Sequence, residues 1–327
     1  MEGGRVIKTV FLITLTTVIC QLSTAVYAQF PYACGARAIG MGGAFSAVSA
    51  EISALYWNPA GLGYLQKKEI SAMYDKDFID TKNCFLGYGQ PAAETGGFGF
   101  GWYRVANDFE KTDISGNSLG SGEYSGNVLT LGAGYYRGLP FSVGISLKYM
   151  DERIDSYSIS GAALDAGLLY EYSSFRFAVV MQNVLNTGMR GDSTAGGESK
   201  EDIPFSGTLG IAYSGLSGIE FADKRPPAVS AAQEKEQEKE VTKGIVGISY
   251  IMGCDVTVTP GNPSKTAFSP GCEVWVNETI GFRAGYRRLR NVTAGLSFKY
   301  EIFRIDYAFV ANPDLENGNI VSSSMYF

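Results

Sequence analysis

Short runs in which apolar and polar residues alternate fill most of this chain. In Phe141-Ser142-Val143-Gly144-Ile145-Ser146-Leu147-Lys148-Tyr149 every odd position is apolar and every even one is small or polar. Val292 to Tyr300 repeats the pattern, and Phe303, Ile305, Tyr307 and Phe309 alternate with Arg304, Asp306 and Ala308. A period of two is that of a β-strand whose faces differ. The large residues take one face, while Lys148, Asp165, Glu171, Arg176, Arg283, Lys299, Arg304 and Asp306 fall on the other. A soluble core would reverse that arrangement, because its large residues would meet a second layer rather than bulk solvent. The pattern therefore predicts a barrel with an apolar exterior and a charged lumen.

Counting such runs predicts strands near 67–76, 82–91, 96–107, 122–137, 140–155, 159–173, 175–185, 204–214, 243–258, 268–277, 279–288, 291–300, 302–311 and 319–327. That makes fourteen, an even number as bacterial barrels require. Gly138-Leu139, Ser174, Asn277-Glu278 and Glu301 read as tight turns, and 108–121, 186–203 and 311–319 as long loops rich in Gly, Asn, Asp and Ser. Short periplasmic turns and long outer loops are the expected asymmetry. The connection at 215–243 contains Pro226-Pro227 and the run Glu234 to Glu240, a composition unable to bury enough apolar surface to order itself. It reads as a charged, disordered periplasmic insertion.

At the N-terminus, Arg5 and Lys8 precede an apolar run from Val10 to about Leu22, and Val26-Tyr27-Ala28 supplies small residues suited to signal peptidase. Residues 1–28 are thus a predicted signal peptide, with a run of about 13 apolar residues that falls short of the ~20 a spanning helix needs. Beyond it no stretch has 18 consecutive apolar residues, which excludes a helical membrane protein and leaves the closed barrel as the other way to span lipid. High Gly (41), Tyr (20) and Phe (19), with only 18% charged residues, fit that option. Met325 and Phe327 close an alternating final run ending in an aromatic residue, the expected signal for barrel-assembly machinery. The expected location is the bacterial outer membrane, with its lipid as the first partner. A net charge of −6 without a basic stripe excludes nucleic acid as a partner.

The chain contains no histidine, so Ser-His and Asp-His catalytic pairs and His-based metal sites are absent. No catalytic residue, metal ligand or cofactor is expected, and ion pairing within a polar lumen accounts for the opposed charges. Gly40 to Gly43 lacks the Gly-Lys-Ser/Thr continuation of a phosphate loop. Mature-chain cysteines stand at 34, 84, 254 and 272. Folding about Gly261-Asn262-Pro263-Ser264 would set facing residue numbers to sum near 526, so a Cys254–Cys272 bridge is expected, with Cys34–Cys84 as a second candidate.

Residues 29–66 are not strand-like. They carry Gly35-Ala36-Arg37-Ala38-Ile39-Gly40-Met41-Gly42-Gly43-Ala44-Phe45 and then Tyr56-Trp57-Asn58-Pro59-Ala60-Gly61-Leu62. A glycine run followed by this block resembles the N-terminal hatch of the FadL-type superfamily, most closely its PorV/PorQ-like branch. Asp306-Tyr307-Ala308-Phe309-Val310 with Pro313-Asp314-Leu315 resembles the closing strands of that branch. The resemblance implies a hatch at 29–66 plugging a barrel at 67–327, with Arg37, Gly40, Gly42, Gly43, Asn58, Pro59, Ala60 and Gly61 as hatch or gate residues. The glycines would allow close packing or positive φ, with a short helix over Ala44–Ala54. What it implies of function is transport of a small hydrophobic or amphipathic compound past the hatch. The alternative is an accessory or shuttle role in type IX secretion, whose partners would be a secretion channel or cargo protein. A structural barrel with no transported ligand is a third reading.

Overall fold

The computed structural model describes residues 33–76, 81–92, 95–112, 117–136, 140–155, 157–193, 197–221, 244–261, 266–288, 290–313 and 316–327. The expected signal peptide and most of the charged insertion lie outside these residues. Fifteen strands occur among them: β1 (Glu69–Lys76), β2 (Lys82–Pro91), β3 (Gly96–Thr112), β4 (Ser118–Tyr135), β5 (Phe141–Ile154), β6 (Tyr157–Tyr172), β7 (Phe175–Ser193), β8 (Gly197–Glu201), β9 (Ser206–Phe221), β10 (Gly244–Val258), β11 (Ala267–Val276), β12 (Ile280–Arg287), β13 (Asn291–Tyr300), β14 (Phe303–Ala311) and β15 (Gly318–Tyr326). Each pairs antiparallel with its sequence neighbour, except that β7 passes over β8 to pair with β9. β1 pairs with β15, which closes a ring of fourteen strands and leaves no edge in the wall. Glu69 faces Tyr326, so the barrel starts and finishes at one rim, here the terminal rim; the opposite end is the hairpin rim.

Alternation decides which way each side chain points. In β5 the residues Phe141, Val143, Ile145, Leu147 and Tyr149 are exposed on the outer wall, while Ser142, Gly144, Ser146, Lys148 and Met150 are buried on the inner one. Large apolar residues stand exposed around the ring, from Leu86 and Leu131 to Phe282, Leu296 and Ile305. Such an exterior suits hydrocarbon rather than water. None of the described helices is long and apolar enough to cross a membrane.

Several expectations need correction. The 108–121 segment is mostly ladder: β3 and β4 stay paired from Gly96 with Tyr135 as far as Thr112 with Ser118. The 186–203 segment is likewise the end of β7 plus β8. Backbone pairing continues there without an apolar face, because above the rim both faces of a hairpin are free to meet water. β9 continues to Phe221, paired with Gly244, so the insertion begins later than residue 215. No disulfide forms among the described residues; Cys34, Cys84, Cys254 and Cys272 are free. The β10–β11 register pairs Cys254 with Pro270 and Cys272 with Met252, an offset of two from the expected match. Diagonal neighbours on one sheet face lie ~7–8 Å apart, beyond the usual reach of a disulfide. Cys34 is buried with the N-terminal segment, whereas Cys84 alternates with the inward Asn83 and Phe85 and so faces outward.

Candidate functional site

The segment 33–65 folds as two short helices, Ala36–Gly40 and Ala54–Trp57, and a 3-10 turn, Pro59–Tyr64, all in contact with the inner wall. The helix expected over Ala44–Ala54 does not form. Phe45 and Ser46 donate their N–H groups to Asp255 at 3.1 and 2.8 Å, and the Ser46 hydroxyl adds a third bond at 2.8 Å. Asn58 caps the 3-10 turn by accepting from the Ala60 N–H at 3.1 Å, and donates to the Ser46 carbonyl at 2.9 Å. Pro59 sits at the first position of that turn, where no amide donor is needed.

Inward-facing glycines make the socket. A Cβ on Gly144 would lie 2.2 Å from the Pro59 carbonyl carbon, and one on Gly134 would lie 2.3 Å from the Gly63 nitrogen. On the other side of the barrel, a Cβ on Gly285 would lie 2.3 Å from the Gly42 nitrogen. Gly42 itself has φ +68° and sits against the Tyr286 backbone, so both its conformation and its surroundings require glycine. Gly40 packs on Gly295, and Gly61 on the Ser49 carbonyl. Gly97, Gly99 and Gly101 of β3 belong to this socket, against Leu62, Ile52 and Leu55, and the β2–β3 ladder runs past them unbroken.

Charge holds one side of the segment. Arg37 donates through Nε and Nη2 to both oxygens of Glu273, at 2.8 and 2.6 Å, and through Nη1 to Glu51 at 3.0 Å. Arg304 donates to Glu51 at 2.9 Å and to Asp306 at 2.7 Å. Arg283 pairs with Glu273 and Asp306, and Ser297 bonds to both Arg283 and Asp306. Three guanidiniums thus alternate with three carboxylates, nearly all out of water. Burial pushes the Glu51 carboxyl up, but Arg304 and Arg37 overcome this and hold it at about 2. Of this cluster the sequence reading names Arg37, Arg283, Arg304 and Asp306 and misses Glu51, Glu273 and, nearby, Asp255. Lys148 and Asp165 form a separate buried pair at 2.8 Å, tied to Asn183. Glu171 and Arg176 pair at 2.6 Å near the terminal rim, and Lys299 is exposed at the same rim.

The opposite side is apolar. Above the socket, toward the hairpin rim, one register row runs Met73, Phe85, Tyr103, Val128, Met150, Gly161 and Met189 across seven adjacent strands. All the side chains in this row are buried, and they join Ile39, Ile52, Leu55 and Leu62 of the segment in one cluster. Val105 and Ile159 extend the cluster. Across β15 the row turns polar, from Met73 to Ser322, Asp306 and Ser297. The lumen therefore carries the ion cluster on one side and the apolar row on the other, where Lys148 and Asp165 form a buried pair beside the row, with the segment seated between. Sequence alternation marks these apolar positions only as inward, since Met, Val and Phe there break the small-or-polar rule that the lumen face otherwise follows.

A closed fourteen-stranded barrel with its own N-terminal segment seated in a divided lumen is the class this geometry defines. No family model matches the chain, and no curated protein matches it in sequence. Among solved structures its fold is similar to the Ralstonia pickettii toluene transporter TbuX (13% identity, 90% of this chain and 98% of that one, TM-score 0.54). It is similar also to the Pseudomonas putida toluene transporter TodX (14%, 93% and 100%, 0.54) and to a Pseudomonas aeruginosa FadL homologue (11%, 92% and 99%, 0.51).

Proposed function

We propose that this chain is a bacterial outer-membrane transporter that takes a small hydrophobic or amphipathic compound into its lumen and past a hatch formed by residues 29–66. The observation that carries the reading is the unbroken apolar row from Met73 to Met189 on the inner wall. A barrel lumen that only conducted water and ions would be polar throughout. Met and aromatic side chains on an inner wall are what an apolar guest binds once the segment packed on them moves aside. The fold neighbours named as toluene transporters support the same direction. In this reading Arg37, Gly40, Gly42, Gly43, Asn58, Pro59, Ala60 and Gly61 keep the hatch seated. Met325 and Phe327, at the terminal rim, serve barrel assembly.

Native mass spectrometry of the protein extracted from its own membrane in mild detergent tests the reading, with analysis of what is released on denaturation. The expected result is a stoichiometric small hydrophobic molecule, lost when Asn58-Pro59-Ala60 is altered. An empty barrel that retains a secretion channel or cargo protein would replace transport with protein handling.

A further inference from the structure

A vestibule of about 580 Å³ opens at the terminal rim, on the other side of the N-terminal segment from the apolar row. This volume is that of a small-ligand site. Two rings in its lining, Trp275 and Tyr326, are each backed by a guanidinium, Arg283 at 5.4 Å and Arg304 at 5.5 Å. A cation on one face of a ring draws electron density toward it, so the part of the ring that lines the vestibule favours an electron-rich partner over a second cation. Tyr64 also lines the vestibule; it is 8% exposed, and its buried hydroxyl has no hydrogen-bond partner. An orphaned hydroxyl costs free energy that a ligand donor or acceptor would recover. The ionic groups are nearly balanced. Lys67 and Lys299 are offset by Glu278 and Glu301, Arg37 and Arg304 share Glu51 with Glu69 also in the lining, and Arg176 is paired with Glu171.

We propose that the vestibule is a second ligand station, on the release side of the hatch, for a neutral ring-bearing compound with one hydroxyl or carbonyl head. The ring stacks at Trp275 and Tyr326, and the head meets the Tyr64 hydroxyl. This deepens the transport reading and rests on it for the order of events.

The test is calorimetric titration of the detergent-solubilised full chain with 4-methylphenol, toluene and benzoate. 4-Methylphenol should bind saturably, and toluene, which leaves the hydroxyl unpaired, about five- to tenfold more weakly. Benzoate should also bind more weakly than 4-methylphenol, since its charge has no counterion to spare. Tyr64→Phe should weaken 4-methylphenol by about the same five- to tenfold factor, and Lys111→Ala, at an exposed ion pair outside both ligand sites, should leave it unchanged. Absence of saturable binding, or an affinity unmoved by Tyr64→Phe in a variant that keeps the wild-type β circular dichroism, would overturn the station. Cellular uptake of the same compound separates the two claims. Uptake without vestibule binding sinks the station alone, and vestibule binding without uptake sinks transport alone.

Discussion

Replacing Gly144 by valine will unseat the N-terminal segment while the barrel around it still forms. The added side chain would start from a Cβ 2.2 to 2.4 Å from backbone atoms of Pro59 and Ala60, where no rotamer of a flexible neighbour can give way. Overpacking of this kind costs about 1–3 kcal/mol and shifts the seated–unseated balance by about five- to 150-fold. Gly285→Val does the same at Gly42 on the other side of the barrel, and sites so far apart should add. Two readouts follow. Planar-bilayer conductance should rise above the wild-type level, because an empty lumen of this strand number is a water-filled pore. Trypsin should cut after Arg37, which is buried in the ion cluster and is the one Lys or Arg between residues 33 and 65. Unchanged conductance and an uncut Arg37 in a folded double variant would show that the glycines do not seat the segment.

The second large effect lies in the ion cluster. Glu273→Ala leaves Arg37 and Arg283 without the carboxylate they share, and an uncompensated buried charge costs about 3–5 kcal/mol. Lys111→Ala, which breaks an exposed pair with Asp155, should cost no more than about 1 kcal/mol. Urea midpoints in detergent measure both, and hydrogen exchange should place the Glu273 loss in residues 36–49 rather than in β1–β7. Acid acts on the same cluster. Because the Glu51 carboxyl is held at about 2, below its ordinary 4.5, its contribution is complete above about pH 4.5 and is lost as pH falls through about 2. A Glu273→Ala protein as stable as wild type would mean that the cluster is not what anchors this side.

How far the sequence predicts this structure differs from element to element. β5, β13 and β14 are legible because a two-residue period with unlike faces has one reading, and the structure places Lys148, Arg304 and Asp306 inward as that reading requires. The ends of β3, β4 and β7 are not legible, since a polar hairpin above the rim looks like a loop to any hydrophobic pattern. The Cys254–Cys272 pairing fails for a related reason: a facing sum inferred from a turn is exact only if the turn is, and a two-residue offset keeps both side chains on the same face. Glu51, Glu273 and Asp255 are missed because each has a partner far away in sequence that brings it into the cluster or onto the segment; Arg37 and Glu273 are 236 residues apart, and Glu51 and Arg304 253. The socket glycines look like ordinary small lumen residues until the segment they accommodate is in place. Phe85, Val128 and Met150 are the available signal for the apolar row, as inward positions in which alternation sets large residues where small ones are expected.

In the transport we propose, an apolar compound passes through the side of the lumen lined by that row. Uptake of labelled toluene by cells making the wild-type chain, compared with cells making a Val128→Asp/Met150→Asp double variant at equal levels of folded barrel, tests it most directly. Wild-type uptake should exceed that of cells lacking the chain, and variant uptake should equal theirs. Equal uptake by wild type and variant, or none by either, would contradict it.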